Sequence, residues 1–439
     1  MKDSFSTTEK IVLATGVFFI IAGVISNEWL LALIFSPDGN LRANTRIAIG
    51  VIDIFLITTG FTFVFFAKKR QVMNLAVLVV TLLICFIAAE GVLRLIEPKP
   101  ARIQGLLTEN PNETGSYLVK PDANIVTKLG SKEIVIKTNS DGMWWKEVSR
   151  ENPLKKTRIA FVGDSFTFGV WADTPEKTLV GVFDSQMNPE EYEVLNFGVP
   201  GVGPPDIELQ LRERVLAFKP DYVILVFYNG NDFRDAYFGM NKYKMVDGIA
   251  VWNDSVEKKI IPEAFRKKTS VKDYLKKSAI FRRFDRLISM HLAGNRRSEA
   301  GFDFSASKLF GAQSFWSTKD YPEVALKARD LALRDLDNIR KVVSEHNIQL
   351  VIVAIPYEEQ VYAASLTGKD YDVTLPQKYV REFAKAHSIP YLDMLPILRS
   401  YVRQETEDIY VPNDIHFNNN GHYIVGKAIA DFFKGRFMQ

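Results

Sequence analysis

The chain has 439 residues but only one cysteine, Cys85, and only five histidines. A single cysteine excludes an internal disulfide, so each domain must be held together by its hydrophobic core. Lysine and arginine exceed aspartate and glutamate by only three, 55 against 52, and this small excess gives no signal for nucleic-acid binding. The candidates for a catalytic base are therefore few: His291, His346, His387, His416 and His422.

Charged residues are also scarce in three apolar runs near the N-terminus, at 11–25, 47–67 and 72–89. Their length and apolarity predict three transmembrane helices. The first run has a signal peptide or an interfacial hairpin as alternatives, although no small-x-small cleavage pattern follows it. The second carries Asp53 near its start, where an acid can reach the membrane interface. A buried soluble helix is the alternative for the third.

Two groups of basic residues flank these runs: Lys2 and Lys10 precede the first run, and Lys68, Lys69 and Arg70 lie between the second and the third. Basic flanks favour the cytoplasmic side, and three crossings then place the rest of the chain outside the cytoplasm. The sequence thus predicts a multi-pass protein of the cell (inner) membrane with an extracytoplasmic main domain.

Composition and pattern divide the chain into three parts. Residues 1–97 form the predicted membrane anchor, and residues 98–154 form a connector with short strands. In the connector, the alternating run 133–137 precedes a turn signal and predicts a strand or hairpin. Residues 155–439 form the main domain, which contains a long helical insertion at 233–321.

The main domain alternates between apolar runs and helix-like segments. Five apolar runs follow one another: 158–162, 194–197, 222–228, 350–355 and 390–392. Between two of them, residues 322–346 carry apolar side chains at helical spacing. This pattern predicts a doubly wound α/β/α fold with a five-stranded parallel sheet, which binds ligands at the carboxyl ends of its strands.

Polar residues suited to nucleophilic catalysis follow these runs. Ser165 lies just after the first run, and Asp414 lies two residues before His416 near the C-terminus. A serine nucleophile needs an imidazole to take its proton and a carboxylate to orient that imidazole. Gly201, in a glycine-rich loop, and Asn231, after the third run, can each supply an N–H to an oxyanion.

Each of these residues also has a structural alternative. The Gly-Asp-Ser triplet can be a turn with a helix cap, and Asn231 can end its strand in an Asx turn. Gly201 can serve backbone geometry alone. Asp414 and His416 can be two metal ligands, although no third ligand at suitable spacing is visible.

Ser165, Gly201, Asn231 and His416 each lie in a short sequence block, numbered here in chain order. The four blocks together resemble the SGNH hydrolases, often called GDSL-type lipases and esterases. The family name lists one Ser, Gly, Asn and His, which here match Ser165, Gly201, Asn231 and His416, and the resemblance covers residues 155–439. It implies a flavodoxin-like fold with Ser165 as nucleophile, His416 as base and Asp414 as its orienting acid. It also implies an oxyanion hole from the Ser165 N–H with Gly201 and Asn231, and no metal or organic cofactor.

Two positions differ from the common family pattern. Asn229 stands where members commonly have glycine, and the last block reads Asp-x-His, with Asn413 at the usual Asp position. The Asp-x-His spacing looks like the branch that includes membrane-associated polysaccharide acetyltransferases.

The resemblance implies serine acyl transfer outside the cytoplasm. The expected substrate is an O-acylated envelope glycan or lipid, and the expected enzyme is an esterase. The alternatives are an O-acyltransferase acting on a surface polysaccharide and a non-catalytic glycan-binding or assembly module with the same fold.

A basic stretch in the insertion, residues 258–297, has interleaved aromatics. It is either a lid over the site that can meet anionic lipid or glycan or a solvated helical insertion.

Overall fold

The computed structural model describes residues 6–25, 43–67, 74, 78, 83, 85–92, 103, 105–113, 116–129, 132–246, 249–253, 278, 280–281, 319, 323–362, 372–404, 408–411 and 414–438. The chain divides into two compact units, Met1–Glu97 with Leu275–Arg283 and Pro98–Tyr274 with Phe284–Gln439. Nearly all of the predicted lid, residues 258–297, lies outside the described residues.

The N-terminal unit contains two helices that pack side by side, α1 (Thr7–Ile25) and α2 (Ala43–Phe66). Glycines allow the close contact: a Cβ added at Gly16 would lie 2.8 Å from the carbonyl oxygen of Gly60. The third predicted span, residues 72–89, lies mostly outside the described residues.

Within the part of the chain that the structure describes, no helix is both long and apolar enough to cross a membrane.

The second unit holds the remaining named elements. Its strands are β1 (Leu107–Glu109), β2 (Tyr117–Val119), β3 (Asn124–Leu129), β4 (Lys132–Lys137), β5 (Thr157–Gly163), β6 (Tyr192–Gly198), β7 (Tyr222–Tyr228), β8 (Tyr243–Val246), β9 (Ile249–Trp252), β10 (Gln349–Ile355) and β11 (Tyr391–Asp393). Its α-helices are α3 (Ser165–Phe168), α4 (Leu179–Ser185), α5 (Pro204–Glu213), α6 (Asp232–Phe238), α7 (Glu323–Glu345), α8 (Glu358–Tyr362), α9 (Leu375–Ala386), α10 (Met394–Gln404) and α11 (Asn419–Phe437).

Five strands form one parallel sheet in the order β11-β10-β7-β5-β6. This confirms the predicted five-stranded parallel sheet. Six of the seven residues are buried in each of β5, β7 and β10, because helices cover both faces and leave no solvent-facing side that would call for alternating polar residues. The first strand in sequence, β5, lies between the second and the third, and this change of direction is where doubly wound sheets bind ligands.

The connector consists of two antiparallel hairpins, β1–β2 and β3–β4. The strand predicted at 133–137 is β4, so that prediction is confirmed. A further hairpin, β8–β9, lies at the start of the predicted insertion.

Helix α7 matches the helix predicted at 322–346. Its small buried residues are Ala325, Ala328 and Ala332. Because alanine side chains are small, the axis of α7 can approach its neighbours on this side, and α7 packs closely against α5 and α6.

A fully buried arginine joins the connector to the sheet. Arg158, in β5, has no exposed surface, and its Nε donates to Glu193 at 2.8 Å. Its Nη1 donates to the carbonyl oxygens of Phe218 at 2.6 Å and Arg150 at 2.8 Å, and its Nη2 donates to that of Ser149. Each nitrogen of the guanidinium thus has a partner, and the partners come from three parts of the chain: the end of the connector, β6 and the segment before β7.

We expect Arg158→Leu to lower the free energy of unfolding by about 3 kcal/mol, because it leaves Glu193 and three carbonyl oxygens without their charged donor. Arg212→Leu is the matched control. It removes an exposed ion pair with Glu208 and should change stability by about 0.5 kcal/mol or less. Urea denaturation of the full chain measures both, and equal midpoints for the two variants would contradict the role given to Arg158.

Candidate active site

Ser165 lies at a sharp turn where β5 passes into α3. Gly163 has φ +157°, and a Cβ there would lie 2.2 Å from Oγ1 of Thr167, so only glycine fits this close turn. Asp164 is the N-cap of α3, and its side chain accepts from the N–H of Phe166 at 2.9 Å. The capping interpretation of the Gly-Asp-Ser triplet therefore applies to Asp164, and the hydroxyl of Ser165 is left for the site.

The structure brings Ser165, His416 and Asp414 into one hydrogen-bonded chain. The hydroxyl Oγ of Ser165 lies 2.8 Å from Nε2 of His416, and Nδ1 of His416 lies 2.5 Å from Oδ1 of Asp414. With Nδ1–H donating to the carboxylate, Nε2 is free to accept the serine proton. This is the arrangement of a nucleophile, its base and the orienting acid.

A spacing of two residues suffices for this contact because the Asp414 side chain turns back on its own loop. The same oxygen, Oδ1, also accepts the backbone N–H of His416 at 3.1 Å. The carboxylate therefore holds both the backbone and the ring of the histidine.

Side chains next to the triad tie the two loops together. Asn419 donates from Nδ2 to Asp173 at 2.6 Å and accepts the Asp173 N–H at 3.1 Å. The ring of Phe166 lies 5.4 Å from the imidazole of His416 and 4.9 Å from the ring of Phe417, measured between centroids. These contacts restrict how far the histidine can move from the serine.

Gly201 and Asn231 line the same cavity as Ser165 and His416. Gly201 has φ +83°, a left-handed conformation that favours glycine. Asn231 is the N-cap of α6 but makes no side-chain cap bond, so the Asx-turn alternative is not observed. Its Nδ2 lies 3.4 Å from Oδ2 of Asp164, which leaves its second amide hydrogen for a ligand.

Asn229, the departure in the third block, does not need the conformational freedom of glycine. Its φ is not in the left-handed region, and its N–H donates to the carbonyl oxygen of Ile355 at 3.0 Å. Its side chain is fully buried, and neither its Oδ1 nor its Nδ2 has a hydrogen-bond partner among the described residues.

A buried ion pair supports the glycine-rich loop. Asp206 accepts the N–H of Gly203 at 3.0 Å and the ammonium of Lys242 at 2.8 Å, both on Oδ2. Both side chains of the pair are almost fully buried, at 1% and 3% exposure. The sequence analysis missed this pair. Its one sequence signal is the acid three residues after Gly203, a helix-start position.

The cavity beside the triad has a volume of about 270 Å³. Part of its wall comes from the connector, through Ile103, Leu106, Leu107 and Tyr117. The sequence analysis assigned the connector no part in the site. The structure makes it one side of the space where a substrate would bind.

Burial and local charges change the ionisation of two acids next to the serine. Burial by itself would raise the pKa of Asp414, but its hydrogen bonds to His416 outweigh this and hold the pKa below its ordinary value. Burial raises the pKa of Asp164 to about 6, although its hydrogen bond from Phe166 and the nearby His416 act in the opposite direction. Asp414 therefore stays ionised at lower pH than Asp164.

Among the described residues, no group of three or more His, Cys, Asp or Glu side chains is arranged to hold a metal ion. Asp414 instead contacts His416, which in turn contacts Ser165.

Comparison with known protein families gives a match over the C-terminal part of the chain, which contains Asp414 and His416. Residues 309–439 match the family described as SGNH hydrolase-like domain, acetyltransferase AlgX. This match confirms the SGNH resemblance over the segment that holds Asp414 and His416. The blocks of Ser165, Gly201 and Asn231 precede the matched residues. No curated protein matches the chain significantly.

Several solved structures are similar to the chain at low identity. A two-domain esterase (CEX) active on acetylated mannans, co-crystallised with mannopentaose, is 15% identical over 65% of this chain and 50% of its own, with a TM-score of 0.35. The chain thus spans about half the length of that esterase. A putative lipolytic protein of the G-D-S-L family from Desulfitobacterium hafniense DCB-2 is 14% identical over 63% of this chain and 99% of its own, with a TM-score of 0.34.

A lipase/acylhydrolase from Enterococcus faecalis is 17% identical over 64% of this chain and 96% of its own, with a TM-score of 0.33. Values this low carry no argument about the substrate of this chain.

The raised pKa of Asp164 predicts a pH-dependent stability. The folded state holds this proton up to about pH 6, whereas the unfolded chain loses it near pH 4. The stabilisation is therefore fully present below pH 4 and is lost as pH rises through about 6. Between pH 4 and pH 7, we expect the stability of the wild type to fall by about 2–3 kcal/mol relative to Asp164→Asn.

Urea denaturation at several pH values measures this difference. The exposed Asp431 provides the control, and Asp431→Asn should keep a constant offset from the wild type to within about 0.5 kcal/mol. A constant offset for Asp164→Asn as well would contradict the raised pKa.

Proposed function

We propose that this protein is a serine-dependent SGNH-type enzyme of ester chemistry that hydrolyses O-acylated glycan or lipid of the cell envelope. The observation that carries the proposal is the chain of hydrogen bonds from Asp414 through His416 to Ser165, which opens into a cavity also lined by Gly201 and Asn231. A binding module needs no such chain, because an activated serine adds nothing to affinity.

In the proposed reaction, Oγ of Ser165 attacks the ester carbonyl carbon while Nε2 of His416 takes the hydroxyl proton. The carbonyl oxygen becomes an oxyanion, which accepts hydrogen bonds from the N–H groups of Ser165 and Gly201 and from the amide of Asn231. The ester C–O bond then breaks, and His416 gives its proton to the leaving alkoxide. An acyl-serine remains.

A water molecule or a sugar hydroxyl resolves the acyl-serine by the same steps in reverse. Water gives hydrolysis, and a sugar hydroxyl gives O-acyl transfer. The description of the family that matches residues 309–439 names an acetyltransferase. Transfer to a polysaccharide is therefore the second candidate function. The two reactions share the proposed roles of all five residues.

The expected location is also a proposal. The apolar runs at 11–25, 47–67 and 72–89 support a multi-pass anchor. The basic residues before the first run and between the second and third support an orientation that places residues 155–439 outside the cytoplasm. We expect alkaline phosphatase fused after Gln439 to be active in cells and a fluorescent protein that folds only in the cytoplasm to be dark. The opposite pair of results would place the site in the cytoplasm.

Labelling with a fluorophosphonate probe tests the triad. We expect the wild type to be labelled, and Ser165→Ala and His416→Ala to lose labelling, because the probe reacts only with an activated serine. Asp414→Asn should lower ester turnover by about 10⁴, since the imidazole would lose its orienting carboxylate.

Matched controls come from residues away from the cavity. Ser185→Ala and His387→Ala should label like the wild type. The hydroxyl of Ser185 donates to the carbonyl oxygen of Val182, which does not line the cavity, and His387 is exposed. Labelling that survives in Ser165→Ala would overturn the proposed nucleophile. A folded wild type that never labels would favour the non-catalytic alternative. Product analysis with and without an added glycan then separates hydrolysis from transfer.

A further inference from the structure

We propose that the cavity beside Ser165 is an acyl-chain pocket that gives the enzyme a preference for acyl groups longer than acetyl, with the connector setting the limit of chain length. This inference rests on the proposed ester chemistry and specifies its substrate. Four observations support it: the source of the cavity wall, the pairing of its charged groups, its apolar surface and its size.

The connector wall is fixed in place by contacts across the cavity. Leu106 and Tyr117 are buried, and the hydroxyl of Tyr117 donates to the carbonyl oxygen of Tyr243 at 2.8 Å. This bond joins β2 to β8. The ring of Tyr243 lies next to Gly201, since a Cβ added at Gly201 would be 3.3 Å from that ring. The wall and the oxyanion loop are therefore held at a fixed separation.

The charged side chains that line the cavity are already paired inside the protein. Lys242 binds Asp206 at 2.8 Å, and Arg234 binds Asp235 at 3.0 Å. The hydroxyl of Tyr117 is used by Tyr243. A sugar ring needs several donors and acceptors for its hydroxyl groups, and these pairings leave few of the lining groups for that purpose.

Apart from the polar site residues Ser165, Asn231 and His416, the rest of the lining is apolar, which suits a hydrocarbon chain. It includes Ile103, Leu106, Leu107, Val170, Val202, Met240 and Ile415. An acetyl group has only three heavy atoms and would leave most of a cavity of about 270 Å³ empty. Each further methylene that enters an apolar pocket contributes about 0.8 kcal/mol, or about fourfold in binding.

The test compares p-nitrophenyl acetate, butyrate and hexanoate as substrates of the full chain in detergent, with the rate of Ser165→Ala subtracted. We expect kcat/KM to rise about fourfold per methylene up to hexanoate. Leu107→Trp and Met240→Trp fill the pocket from two different sides, and each should lower the hexanoate-to-acetate ratio of kcat/KM at least tenfold. The use of two variants keeps the test valid if one of them does not fold.

Leu154→Trp is the control, because this leucine is 71% exposed and does not line the cavity. It should keep the wild-type ratio. A wild type that prefers acetate, or filled variants with an unchanged ratio, would overturn the acyl pocket while leaving the ester chemistry intact. Absence of Ser165-dependent hydrolysis of all three esters, together with absence of fluorophosphonate labelling, would instead overturn the proposed function and this inference with it.

Discussion

The site depends on a hydrogen bond of 2.8 Å between two residues that are 251 positions apart in sequence, Ser165 and His416. The parallel sheet makes this contact possible. Ser165 follows β5, whose neighbours in the sheet are β6 and β7, and the loops after those strands carry Gly201 and Asn231. Because all of these strands run in the same direction, their carboxyl ends meet at one edge, and α11 then holds the loop of His416 beside them.

The sequence was sufficient for the parts of the molecule that local pattern determines. Buried parallel strands are continuous apolar runs, so the central strand β7 was predicted with the bounds that the structure shows. The contact between Asp414 and His416 follows from the residues themselves, since an Asp two positions before a residue can reach its backbone N–H. The third apolar N-terminal run and the basic insertion stay predictions, since both lie largely outside the described residues.

Contacts between distant side chains were not predictable in this way. The pair of Asp206 and Lys242, the buried guanidinium of Arg158 and the part of Tyr117 in the cavity wall all join segments far apart in the chain. A local pattern shows that a lysine or tyrosine is present. It does not show which distant group neutralises the charge of the lysine or accepts the hydrogen bond of the tyrosine. The wall of the cavity is therefore the feature that required the structure.

The same burial that shapes the pocket also sets the charge around Ser165, the proposed nucleophile. A carboxylate near a developing oxyanion opposes catalysis unless it is neutral or turned toward a donor. Asp164 meets this requirement through the amide of Asn231 and the N–H of Phe166. When Asp164 is ionised, above about pH 6, it accepts one amide hydrogen of Asn231 and so holds the other toward the cavity. The acid beside Ser165 thus orients the proposed oxyanion donor, and its unfavourable burial is part of how the site is organised.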